Sequence, residues 1–230
     1  LVAARLMVSL PLAVMALLLS TLIALPVGLY AASHRGRAGD WSVMGITQLG
    51  IAIPNFWFAM ILVMIFAIQL GWFSAGGFPG WEAGIAACLK ALTLPALALA
   101  LPQASILARV MRSAVLEVLG QDYIRTARAK GLPAHVILFR HELKPCILPV
   151  VTYMAPVTAV IMTGSLIIEQ AFSLPGLGRQ FITAATDRDY TLLMGTTVIL
   201  LLAVILLNFI VDLAYSWLDP RIRRAGGGRS

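Results

Sequence analysis

Residues able to do chemistry are sparse in this 230-residue chain, and they do not combine into a catalytic set. There are three histidines, and His141-Glu142 begins an HExxH-like run in which Pro145 stands where the second histidine would bind zinc. GxxxxGK[ST] is absent, so the chain cannot cradle nucleotide phosphates, and there is no GxSxG elbow for a serine nucleophile. Cys88 and Cys146 belong to no CxxC pair, and neither a disulfide nor a metal site is expected of them. The remaining polar candidates are Glu169 and Asp212 at the ends of apolar runs and Asn55 beside Pro54. To these is added one long basic stretch, Arg109 to Pro145. Carboxylates and amides in or beside apolar segments serve gating, packing or transport pathways. They do not suggest bond-making chemistry.

The elements that position these residues are apolar and long. Hydrophobic residues make up 60% of the chain, charged residues 12%, and the mean hydropathy is +0.91. A soluble domain carries about 25% charged residues. Five segments reach the roughly 20 residues needed to cross a hydrocarbon core: about 7–32, 43–70, 91–108, 147–168 and 192–218. None alternates as a membrane β-strand does, so the fold class is all-α and polytopic. The net charge of +7 does not point to nucleic acid, because the cations collect in particular loops. One side holds thirteen Lys and Arg: Arg35, Arg37, Arg109, Arg112, Arg125, Arg128, Lys130, Arg140, Lys144, Arg221, Arg223, Arg224 and Arg229. The other holds four: Arg5, Lys90, Arg179 and Arg188. The positive-inside rule places the basic stretch and the C-terminus in the cytoplasm, and five spans then place the N-terminus outside. Residues 1–6 carry no signal peptide, which leads us to expect a further apolar segment upstream of Leu1.

The basic stretch, 109–145, divides at Gly131. Residues 122–130 (DYIRTARAK) are good helix formers that Gly131 can end. Pro133 can open a second helix, which Pro145 should stop after Lys144. On that second helix Val136, Phe139, Arg140 and Leu143 fall at i, i+3, i+4 and i+7 and make one apolar-centred face. Periodicity leaves two occupants open for this face: a soluble partner, or the anionic inner leaflet.

The same residues resemble the EAA loop of ABC importer permeases, whose pattern is Glu-Ala-Ala, three residues, Gly, and a later Leu-Pro. Gly131, Ala127 and Leu148-Pro149 match, while Arg125 and Thr126 occupy the first two positions. RTARAKG followed by RHELKP and ILPVV is similar to the peptide/nickel branch, in which that glutamate is commonly absent. GSLIIEQAFSLPGLGR (164–179), DRDYTLLMG (187–195), LNFIVDLAYSWLDPRIR (207–223) and, more loosely, IPNFWFAM (53–60) resemble the same branch in order. Together they cover nearly the whole chain.

The resemblance implies a type I ABC importer transmembrane domain of the first-permease type, with five of an expected six spans present. It implies import of peptides or a similar small solute, such as nickel or glutathione, by alternating access in a bacterial or archaeal inner membrane. The implied partners are a second permease subunit, two cytoplasmic ATPases and an extracytoplasmic substrate-binding protein. The chain itself would hold no cofactor, with ATP and Mg²⁺ on the ATPases. Arg125, Thr126, Ala127, Gly131, Val136, Phe139 and Arg140 would form the ATPase-coupling loop. Glu169, Phe172, Pro175, Gly176, Gly178 and Asn55 would contribute to an outer gate or pore. Glu169 is expected at the outer face of the membrane, where a charge costs little, Asp212 packed against a neighbouring helix, and Pro175-Gly176 at the centre of a type II turn. The alternative is a secondary transporter or channel without an ATPase. Such proteins need intramembrane charge for ion coupling, and these spans nearly lack it.

Overall fold

The computed structural model describes residues 2–133 and 136–218, without the side chains of residues 2, 139–141 and 218. The described residues form a helical bundle. Helix α1 is Val2–Ser33, α2 Ala38–Ala52 and α3 Asn55–Leu62, which widens into a π-helical segment Val63–Gln69. Helix α4 is Ile85–Leu119, α5 Asp122–Ala129, α6 Leu143–Ala171 after a π-helical segment Ile137–Glu142, α7 Leu177–Thr186 and α8 Tyr190–Leu218. Helices α1, α4, α6 and α8 are each long and apolar enough to cross a membrane.

The bundle is built around α1 and α4. Ala13, Ala16, Ala24, Ala31 and Ala32 on α1 and Ala96, Ala98, Ala100, Ala104 and Ala108 on α4 are all buried. In lipid, where apolar burial alone does not pull helices together, small side chains let backbones approach and gain dispersion contact. Gly28 marks the tightest place: a Cβ there would meet the Ala108 carbonyl oxygen and the Met111 side chain. Pro11, Pro26, Pro95, Pro102, Pro149 and Pro156 all stand inside these helices. Neighbouring helices in a bundle can absorb the local disruption such prolines bring.

Three expectations are corrected here. The expected span over 43–70 is two helices, α2 and α3 with its π extension, bent by 105°. Pro54 disfavours helical backbone at the residue before it, and Ile53 is extended at φ −84°, ψ 127°. Second, the stretch 109–145 is not separated from the helix before it: α4 continues unbroken through Arg109 to Leu119. Third, Pro145 does not stop a helix: the π segment runs straight into α6, with Leu143 in helical geometry. Pro145 falls in the first turn of α6, where the ladder is changing register and a missing N–H costs little.

Candidate functional site

Two polar clusters sit at opposite ends of α1. The first is a clasp around Glu169, which is fully buried. Glu169 lies at the end of α6 as expected, but it is enclosed by protein instead of being open to water, where a charge would cost little. Ser9 Oγ on α1 donates to Glu169 Oε1 at 2.5 Å and accepts the Leu177 N–H at 2.8 Å. The Gly178 and Arg179 N–H groups donate to Glu169 Oε2 at 2.7 and 3.3 Å. One carboxylate from α6 therefore satisfies free amides at the start of α7, where the helix dipole also favours negative charge. The serine ties α1 to both.

The glycines of PGLG serve space rather than turn geometry. Gly176 has φ −95° and ψ −178°, which excludes the expected type II turn, since that turn needs a positive φ at its third residue. The positive φ falls instead on Ser173, at 52°, after the end of α6. A Cβ on Gly176 would collide with the Glu169 carboxylate, and one on Gly178 would lie 2.6 Å from the Leu166 Cα. Pro175, immediately before Gly176, is half-buried. Phe172 is buried in the core, while its carbonyl accepts the Gly77 N–H at 2.8 Å and so holds the 71–84 loop against the clasp. Asn55 is apart from this group. It opens α3 at the break, half-buried, with its amide nitrogen against Gly164 of α6.

The second cluster is the loop after α4. Helix α5 ends in a Schellman arrangement: the Gly131 N–H reaches the Arg128 carbonyl at 3.0 Å and the Leu132 N–H the Ala127 carbonyl at 3.4 Å. Gly131 has φ 72°, a conformation that suits glycine. Ala127 is buried with Ile124 and Ile137 in a small core against Val118. Arg125 and Thr126 face outward, Arg125 3.5 Å from Asp122. Arg128 pairs with the buried Glu142 at 3.6 Å. The expected free face of the second helix is only partly so. Val136 is half-buried and Leu143 packs on the main core, because the π turn changes the periodicity that had put them on one side. The side chains of Phe139 and Arg140 lie outside the described residues.

Sequence reasoning missed several residues. Among the described residues of this loop, Tyr123 and Leu132 are exposed apolar side chains, 45% and 37% exposed. They were legible only as the outward complement of Ile124 and Ala127. Asp40 of α2 is buried and takes a bidentate bond from Arg112 of α4, with Nε and Nη2 each 2.7 Å from its oxygens and the Gly36 N–H at 3.0 Å. Arg109 donates to Gln48 at 3.0 Å. Arg109 and Arg112 had been read as loop charges, whereas they fasten α4 to α2. Asp212 is exposed on α8 instead of packed, and it is the Asn208 side-chain oxygen that is buried without a partner.

A broken pair, four long apolar helices and a polar loop between spans define a polytopic helical membrane protein. Residues 24–224 match the family described as binding-protein-dependent transport system inner membrane component, and the chain belongs to that family. It is 44% identical over 223 residues to the oligopeptide transport system permease protein OppB of Salmonella typhimurium, covering 97% of this chain and 71% of that protein. It is 41% identical over 216 residues to the dipeptide transport system permease protein DppB of Bacillus subtilis, covering 94% and 68%. The fold is similar to a crystal structure of an amino acid ABC transporter with histidines, at a TM-score of 0.64 and 15% identity, over 95% of this chain and 92% of that one.

Proposed function

We propose that this chain is a permease subunit of an ATP-driven importer of oligopeptides or dipeptides. The observation that carries the reading is the loop after α4, a short helix closed by Gly131 and turned back into α6, together with the names of its relatives. Two cytoplasmic ATPases would dock on this loop, binding the ATP and Mg²⁺ that the permease does not. A second permease subunit would complete the path, and an extracytoplasmic binding protein would deliver the peptide.

In this mechanism Arg125 and Thr126 present the polar face of α5 to the ATPase, with Tyr123 and Leu132 as apolar anchors. Phe139 and Arg140 are assigned to the same contact by position. Ala127 joins α5 to the π segment, and Gly131 sets the angle between them. ATPase closure would push this unit as one body against the inner ends of α4 and α6, reorienting the spans by alternating access. At the far end, the clasp at Glu169, Phe172 and Gly176 would make α1, α6 and α7 move together as the outer gate.

The test is peptide uptake and peptide-stimulated ATP hydrolysis by the reconstituted complex. Tyr123→Ala and Phe139→Ala should each leave insertion intact and weaken ATPase docking about tenfold or more, as truncation of a buried interface aromatic does. If both variants kept full coupled activity, the loop would not be the docking element.

A further inference from the structure

We propose that the 71–84 loop and the start of α4 form an entry subsite for the C-terminal carboxylate and last side chain of an incoming peptide. This rests on the peptide-importer reading above. The loop and α4 border an open cleft of about 670 Å³, within the size range of small-ligand sites. Its walls include the aromatic rings of Trp72, Phe73 and Phe78, and Lys90 of α4 is its cation. The Lys90 ammonium lies 5.9 Å from the centroid of Phe73, at the outer limit of a cation–π contact. Among the described residues no carboxylate lies within ion-pair distance of it. The exposed Lys90 ammonium therefore has its donors free for a charge-assisted bond to a ligand carboxylate.

The loop backbone that carries the aromatic side chains is fixed. Gly71 and Gly77 have φ of 65° and 87°, and the Gly77 N–H bond to the Phe172 carbonyl pins the loop to the end of α6. The subsite is thereby joined to the clasp, on the side away from the ATPase loop. Oligopeptides of varied sequence share few features, and a free C-terminal carboxylate is one. Three aromatic surfaces accept a last side chain without demanding its identity.

The experiment uses the full importer in proteoliposomes with its binding protein loaded with either a free-acid peptide or the matching C-terminal amide. Uptake is followed against the concentration of loaded binding protein for wild type, Lys90→Gln and Lys90→Arg. Lys90→Gln should lower kcat/KM for the free acid about tenfold, the loss of one charge-assisted contact. It should leave the amide unchanged, and Lys90→Arg should keep most of the free-acid rate. Equal loss for both peptides would overturn the proposal and assign Lys90 to docking of the binding protein. No loss for either would overturn it as well. A wild-type complex that moved neither peptide would refute the importer reading itself, which separates the two failures.

Discussion

Glu169 and Gly176 act as a pair, and each explains the other. A buried carboxylate survives only with its acceptor capacity filled, and the three donors that fill it come from two other helices. Glu169→Ala would leave buried N–H and O–H groups without partners, at a cost of about 3 kcal/mol. A fall in the thermal midpoint of the purified complex measures it. Gly176→Ala should be similarly damaging because its methyl group would occupy the carboxylate's place, whereas Gly195→Ala, with open space around it, should be neutral or slightly stabilising. Gly131 obeys different physics. A Cβ there meets nothing within 4 Å, but φ is 72°, so the penalty is conformational. Gly131→Val should destabilise the loop by about 1–2 kcal/mol and Gly131→Asn by much less, since asparagine tolerates the left-handed region. Protease sensitivity at the loop, together with coupled ATPase activity, ranks the three.

At the scale of elements, the joints are the informative places. Pro54 breaks what hydropathy reads as one span, and a π segment absorbs what proline at 145 was expected to break. Hydropathy averages over some 19 residues and cannot register a bend between two equally apolar arms. Likewise a 3.6-residue period assigns a face only while the helix stays α. The Asp40–Arg112 bond is the fastening of α2 to α4. Asp40→Asn and Arg112→Gln should each lower stability, and the two losses should be less than additive in the double variant, the mark of a direct interaction. A double-mutant cycle on the thermal midpoint, in detergent at fixed ionic strength, tests this. Additive losses would mean that each residue acts through other partners.

For the whole molecule, the distance between the two clusters matters. Ser9 and Ser33 on α1 are separated by 24 residues of helix, roughly 36 Å at 1.5 Å per residue. The clasp and the loop after α4 are therefore linked by helices that span the bundle. The asymmetry of Lys and Arg predicts that a reporter after Arg224 reads cytoplasmic and one inserted near Gly77 reads extracytoplasmic. Both reporters on one side would break the five-crossing topology. Large apolar side chains remain exposed along α8, including Leu201, Leu202, Ile205, Phe209 and Leu213, and along α2 and α3, including Trp41, Trp57 and Met60. For a chain that lives in lipid such faces are no liability.

The sequence alone determined the class. Apolar length, charge asymmetry and motifs in order depend on local composition and survive without knowledge of contacts, so the helices, the basic loop, the glycine that closes α5 and the family all came from it. What glycine does at 176, where Glu169 sits, and that Arg112 pairs with Asp40 came only from tertiary structure. Each is a contact between residues far apart in the chain, Ser9 and Glu169 by 160 positions and Asp40 and Arg112 by 72. No local pattern encodes which buried donor will meet which buried acceptor. That is settled when the helices pack, because in a water-free interior a polar group must find its partner among the elements beside it.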